Sequence, residues 1–239
     1  MKGLLDNQFA PLTFTWGFVQ VPFPEYVRAF SAWWRELSIE FDVELISEEL
    51  ASAFLHLQPL QTPQNKYLLT ETTSDWTAVF SNGLRTGDVI SPVGHMARIL
   101  RRPGLQVRCI PDRSYLENKA DALQIYGAVD FTLFIPGPDD STQIRKISVM
   151  NDGGRWLFIS DGDVQPFEYP REYAKKRLVD RFTPDMLEDY CAHLGIRLFD
   201  ANFYRTDKAV ITQLTRFPLA SPRMSLREAN EKLYLRPVE

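Results

Sequence analysis

The chain has 239 residues, 44% of them hydrophobic and 24% charged, which suits a sizeable packed core and excludes disorder; 12 Gly and 16 Pro in no period exclude a collagen. Lys and Arg number 27 against 31 Asp and Glu, a formal charge of −4 that argues against nucleic acid as partner, since phosphate neutralisation needs a basic excess. Two Cys exclude a disulfide framework and three scattered His a zinc cage.

Residues 13–21 alternate and predict a strand. After Pro22, the residues Phe23, Tyr26, Val27, Phe30, Trp34 and Leu37 recur at helical spacing, with Trp33 packing at the edge of that stripe. Residues 39–46 predict a second strand. Ser47 then reads as the cap of a helix with Glu48 and Glu49 in its first turn and Leu50, Ala53, Phe54 and Leu57 on its apolar face. Residues 66–72 and 75–81 are strands, and Asn82-Gly83 is a turn signal. Ser91 and Pro92 mark a helix start, with Val93, Met96, Ala97 and Leu100 facing inward until Pro103-Gly104.

Strands follow at 105–110, 125–135 and 144–150. Asn151-Asp152-Gly153-Gly154 is a hairpin turn, returning through 155–160. In the first of these strands Leu105, Val107 and Cys109 point the same way, so Cys109 is expected to be buried. From Tyr169 the pattern turns helical. Ala174, Leu178 and Phe182 step by four. Thr183 caps a helix with Pro184 first, carrying Leu187, Tyr190, Cys191 and Leu194 on its stripe, and Gly195 stops it. A last helix covers 226–234. The expectation is a single α+β domain over 1–239: a curved, mainly antiparallel sheet, helices on one face, and a helical C-terminal third.

No apolar run reaches the ~20 residues of a membrane span, and the first residues lack the apolar stretch of a signal peptide, so no membrane is expected as partner and the cytoplasm is the expected compartment. No phosphate loop of the Walker type, dinucleotide fingerprint, nucleophile elbow or HExxH motif is present, and no cofactor or metal is expected. Asp161-Gly162-Asp163 echoes the start of a calcium loop, but Pro166 stands where that loop needs Gly. The segment 82–91 has two readings. One is a structural loop with Asp88 and Ser91 as caps. The other is a phosphate pocket made by Arg85, Thr86 and the amides near Ser91. The basic residues Arg98, Arg101 and Arg102, and those from Arg171 to Arg181, read as solvated helix faces, with Glu172 and Lys176 an i, i+4 pair. Asp139, Asp140, Asp161, Asp163 and Glu168 fall in or beside loops between sheet elements. If those loops share one end of the sheet, they form a negative patch for a basic partner.

Six stretches, taken in order, carry a resemblance: 75–83 (DWTAVFSNG), 91–94 (SPVG), 151–158 (NDGGRWLF), 166–168 (PFE), 181–187 (RFTPDML) and 194–200 (LGIRLFD). Over roughly 75–204 the chain resembles a group of small cytoplasmic bacterial proteins, some of the type that accompany secreted toxins as immunity proteins. The motifs are structural and carry over no functional residue. What the resemblance implies is a non-catalytic binder that neutralises a cognate protein toxin by occluding its active site. The acidic loop positions are then the expected contacts. The alternative is an enzyme or binding protein for a phosphorylated small molecule at 83–91.

Overall fold

A computed structural model describes residues 2–84, 89–112, 122–138, 141–215 and 223–233. The chain enters through β1 (Thr15–Val19) and α1 (Phe23–Glu36), then β2 (Phe41–Ile46), α2 (Leu50–Leu55) and the short β3 (Leu60–Gln61). The hairpin of β4 (Lys66–Thr72) and β5 (Thr77–Ser81) precedes α3 (Ile90–Leu100). Next come β6 (Gly104–Ile110), β7 (Ala128–Pro136), β8 (Thr142–Asn151) and β9 (Trp156–Asp161). α4 (Pro184–His193), β10 (Tyr204–Leu214), the short β11 (Arg223–Met224) and α5 (Leu226–Lys232) complete the described part.

Nine strands form one antiparallel sheet in the order β2-β10-β4-β5-β1-β6-β7-β8-β9, while β3 and β11 pair separately. Alternation distributes the strands' side chains between two cores. Trp16, Phe18, Leu68, Phe80, Val107 and Phe131 enter one, and Val19, Leu69, Val79 and Val210 the other. The α+β class therefore stands. Helices lie on both faces rather than one. α1 brings Tyr26, Phe30 and Trp34, and α3 brings Val93, Met96 and Ala97, to the second core. α2, α4 and α5 bring Phe54, Leu187 and Leu226 to the first.

The expected helical C-terminal third is corrected. β10 is an eleven-residue strand seated between β2 and β4, so the C-terminal third supplies an interior member of the sheet. Its β-branched run Val210-Ile211-Thr212 suits that place, and a register irregularity between Arg205 and Val210 breaks the alternation that would have announced it. Between Tyr169 and Phe182 only two 3₁₀ turns form, Glu172–Ala174 and Leu178–Asp180. Phe182 is buried, but Ala174 is exposed and Leu178 half-buried, so the four-residue step has no apolar face to hold it against the sheet.

Two helix starts also move. α2 is capped by Glu49, two residues beyond Ser47, and α3 by Val89, which places Ser91 inside the first turn. α4 begins as its sequence predicts, with the Thr183 hydroxyl accepting the Met186 N–H and Pro184 in the first turn. Gly195 follows at φ 78°, a conformation that favours glycine. Asn82 is no solvent-facing turn residue. It is fully buried, its Oδ1 accepts from the Asn65 and Lys66 amides, and its Nδ2 donates to the Pro59 carbonyl and to Asn65 Oδ1.

A candidate interaction surface at the sheet edge

Three of the predicted acidic positions, Asp161, Asp163 and Glu168, lie among the described residues, and they differ in exposure. Asp161 and Asp163 are exposed at the end of β9, beside exposed Val164. Glu168 is buried and cannot meet a partner. Its carboxylate takes a bidentate pair from the buried Arg145, Nε at 2.8 Å and Nη2 at 2.6 Å, and also accepts from the Gln165 amide and the Tyr173 hydroxyl. Arg145 Nη1 donates in turn to the carbonyls of Asp161 (2.9 Å) and Gly162 (3.1 Å). The Tyr173 hydroxyl meets that of Tyr190 at 2.9 Å, and Tyr190 accepts the Tyr169 amide at 2.6 Å. This network fastens the loop after β9 to α4. Gly162 sits at φ 80°, and a Cβ there would lie 2.1 Å from the Ile144 carbonyl oxygen, so the loop needs glycine at that position. Asp139 and Asp140 lie outside the described residues. So do Arg85 and Thr86. Ser91 is an exposed residue of α3's first turn.

Sequence reasoning missed the more informative surface. β2 is the first strand in the sheet order, paired on one side with β10 from Ala209↔Ile46 to Leu214↔Phe41. Among the described residues no strand pairs its other side, so alternate backbone N–H and C=O groups face outward there. The strand is two-faced. Val43 is 48% exposed and Leu45 79% exposed on the α1 side, where Phe41 packs against the second core and carries the Arg35 guanidinium 5.7 Å above its ring. Asp42 and Glu44 point to the opposite side, both exposed. His56, at the end of α2, approaches Glu44 at 3.7 Å and Glu48 at 3.4 Å.

Leu45 also forms one wall of a groove of about 520 Å³ with Phe23 and Val27 of α1, Val210 of β10, and the rim residues Asp207 and Lys208. The sequence signal was available: Asp42-Val43-Glu44-Leu45 alternates acid and apolar residues. A strand buried on one face gives the same pattern, so composition does not separate that case from an open edge.

Several other chemistry-bearing side chains are held in packing contacts or ion pairs. The His95 ring stacks on Trp33 with centroids 4.4 Å apart, and burial together with the nearby Arg98 lowers its pKa, Glu36 acting the other way. Cys109 and Cys191 are buried free thiols. Burial pushes Cys109 up to about 12, Lys2 opposing, and raises Cys191 well above the ordinary thiol value. The expected Glu172–Lys176 pair is replaced by Glu172–Lys175, and Arg181 stands over the Phe158 ring at 5.3 Å. Among the described residues, no group of three or more His, Cys, Asp or Glu is placed to hold a metal ion, and no helix is long and apolar enough to cross a membrane. Set beside protein-family models, characterised proteins and solved structures, the chain matches none.

Proposed function

We propose that this protein is a stoichiometric, non-catalytic binder of a basic protein partner, of the toxin-immunity type, and that the partner docks on the β2 edge. The observation that carries the reading is the two-faced strand: an edge with no strand partner among the described residues, Val43 and Leu45 exposed on one side, Asp42 and Glu44 on the other. Strand addition at such an edge draws affinity from main-chain hydrogen bonds and specificity from alternate side chains. The matching segment alternates basic and apolar residues, placing Lys or Arg over Asp42 and Glu44 and an apolar side chain toward Leu45 and the adjoining groove. Acidic residues on the inhibitor suit a toxin whose active site binds a polyanion, because opposite potentials speed encounter and fix register.

The test compares the two ends of the sheet. Affinity-tagged protein is co-purified from its own host with the bound partner, and the complex is weighed intact. Leu45→Arg should abolish capture without lowering the melting temperature of the free chain, since Leu45 contributes little buried surface. Asp161→Lys with Asp163→Lys, at the opposite end of the sheet order, should leave capture unchanged. Capture lost with the second pair and kept with the first would move the interface to the β9 end.

A further inference from the structure

The sequence of β2 also decides how the strand meets a second copy of itself. Its six residues, Phe41–Ile46, end a sheet in which every strand pair is antiparallel, and no described strand lies on its outer side. A two-fold axis normal to the sheet extends it through that side, β2 against β2, with the same surface on both copies. Such an axis turns the strand end for end without turning it over, so each residue keeps its own side of the sheet. Residues directly opposite in an antiparallel pair share a side, so odd positions meet odd and even meet even. Two registers then pair five residues of each strand. One sets Val43 on Val43, Phe41 on Leu45 and Asp42 on Glu44; the other sets Glu44 on Glu44, Val43 on Leu45 and Asp42 on Ile46.

In both registers one side of the pair gains and the other loses. The exposed Val43 and Leu45 close on their own kind and leave water, which favours pairing. On the opposite side the exposed Asp42 and Glu44 are set against the same acids, and like charges directly opposite each other destabilise a strand pair. Neighbouring cations relieve Glu44 only in part. His56 stands 3.7 Å from Glu44 but is shared with Glu48 at 3.4 Å. Lys66, whose charge Glu44 favours, has its Nζ taken by the carbonyls of His56 at 3.1 Å and Gln58 at 2.6 Å. An edge pair of six residues per copy is a small interface, so this row of charge decides whether it forms.

We infer that Asp42 and Glu44 gate self-association of this chain: the β2 edge takes a second copy, strand against strand about a two-fold axis, once those acids are screened or neutralised, and stays open while they are charged. A basic partner then meets a free edge, because it opposes the acid row with the opposite charge. The inference shares its edge with the docking reading but needs no partner protein, so the two fail separately. Salt also acts on them in opposite directions: it relieves the repulsion between copies and weakens the attraction that steers a basic partner.

The experiment sediments the intact protein and the double variant Asp42→Asn with Glu44→Gln over a wide range of concentration, each in dilute buffer and at about 1 M sodium chloride, where charges are screened beyond about 3 Å. In dilute buffer the parent should run as a monomer and the double variant as a monomer–dimer equilibrium, its dimer at least about tenfold tighter than the parent's, the effect of removing opposed like charges. Salt should move the parent toward the dimer more than it moves the double variant. Leu45→Arg added to the double variant should return it to the monomer by placing a charge in the apolar row. A parent already dimeric in dilute buffer, a double variant that stays monomeric at every concentration, or a dimer that survives Leu45→Arg overturns the inference. Should the double variant fail to fold, the salt dependence of the parent and its loss with Leu45→Arg alone decide. Partner capture lost with self-pairing kept strikes the docking reading alone, and capture kept with no self-pairing strikes this inference alone.

Discussion

Removing the Glu168 carboxylate would leave Arg145 buried with its charge uncompensated. Glu168→Ala is therefore expected to cost about 3–5 kcal/mol in urea unfolding, and replacing both residues by apolar ones to recover much of that. An unchanged midpoint in the single variant would mean that the pair opens to water. Glu168 also shows why a sequence misplaces single residues. Pro166-Phe167-Glu168 reads as an acidic loop, because the partner that buries the carboxylate lies 23 positions away on β8. The cysteines were legible, since Leu105, Val107 and Cys109 alternate and all three enter the first core.

The same burial sets the alkaline limit of the fold. The thiols of Cys109 and Cys191 and the phenols of Tyr26 and Tyr204 all have pKa values raised by burial. An acid that holds its proton more tightly when folded destabilises the fold as pH rises past its unfolded value. Stability should thus begin to fall above the ordinary thiol value of 9.0 and fall faster above the phenol value of 10.0, by about 1.4 kcal/mol per pH unit for each group. Denaturant midpoints across pH 7–11 check this, and a flat profile would contradict it. Alkylation at pH 8 should leave both thiols intact until the chain unfolds.

At the scale of elements, helices with local start signals were readable and the rest depended on packing. Thr183-Pro184 at α4 is such a signal, and Thr183→Ala should cost about 1 kcal/mol by removing the acceptor of the Met186 amide. α5 carries a full capping box between Ser225 and Glu228. By contrast β10 was not legible, because its first half, Tyr204 to Lys208, is polar and its register breaks before the β-branched run. The helix expected through Ala174, Leu178 and Phe182 failed because that spacing gives no continuous apolar face, Ala174 being exposed and Leu178 half-buried, while Tyr173 is tied to Glu168 and Tyr190 instead. Close approach of α3 to β1 makes Gly17→Ala a sharp probe. The added methyl would meet Val93, and a loss of roughly 1–3 kcal/mol is expected from overpacking.

At the scale of the whole molecule, acidic residues fall at both ends of a nine-strand sheet, so net charge alone did not reveal which end faces a partner. Asp161 and Asp163 belong to β9 and its loop, and Asp42 and Glu44 to β2. Both ends present exposed acids and a strand edge unpaired among the described residues, but only β2 carries exposed apolar side chains, Val43 and Leu45, alternating with the acids along the edge strand itself; at the other end the exposed Val164 lies in the loop after β9. Association through that end should slow as salt screens it, while dissociation changes less, because the apolar and main-chain contacts are not screened.

Hydrogen exchange of the captured complex tests the docking edge most directly. Docking there gives a one-to-one complex in which the amides of β2, residues 41–46, gain protection relative to the free chain, with a partner that is toxic when expressed alone. A complex that leaves the β2 amides exchanging as in the free chain, with protection gained around Asp161 and Asp163 instead, would contradict it.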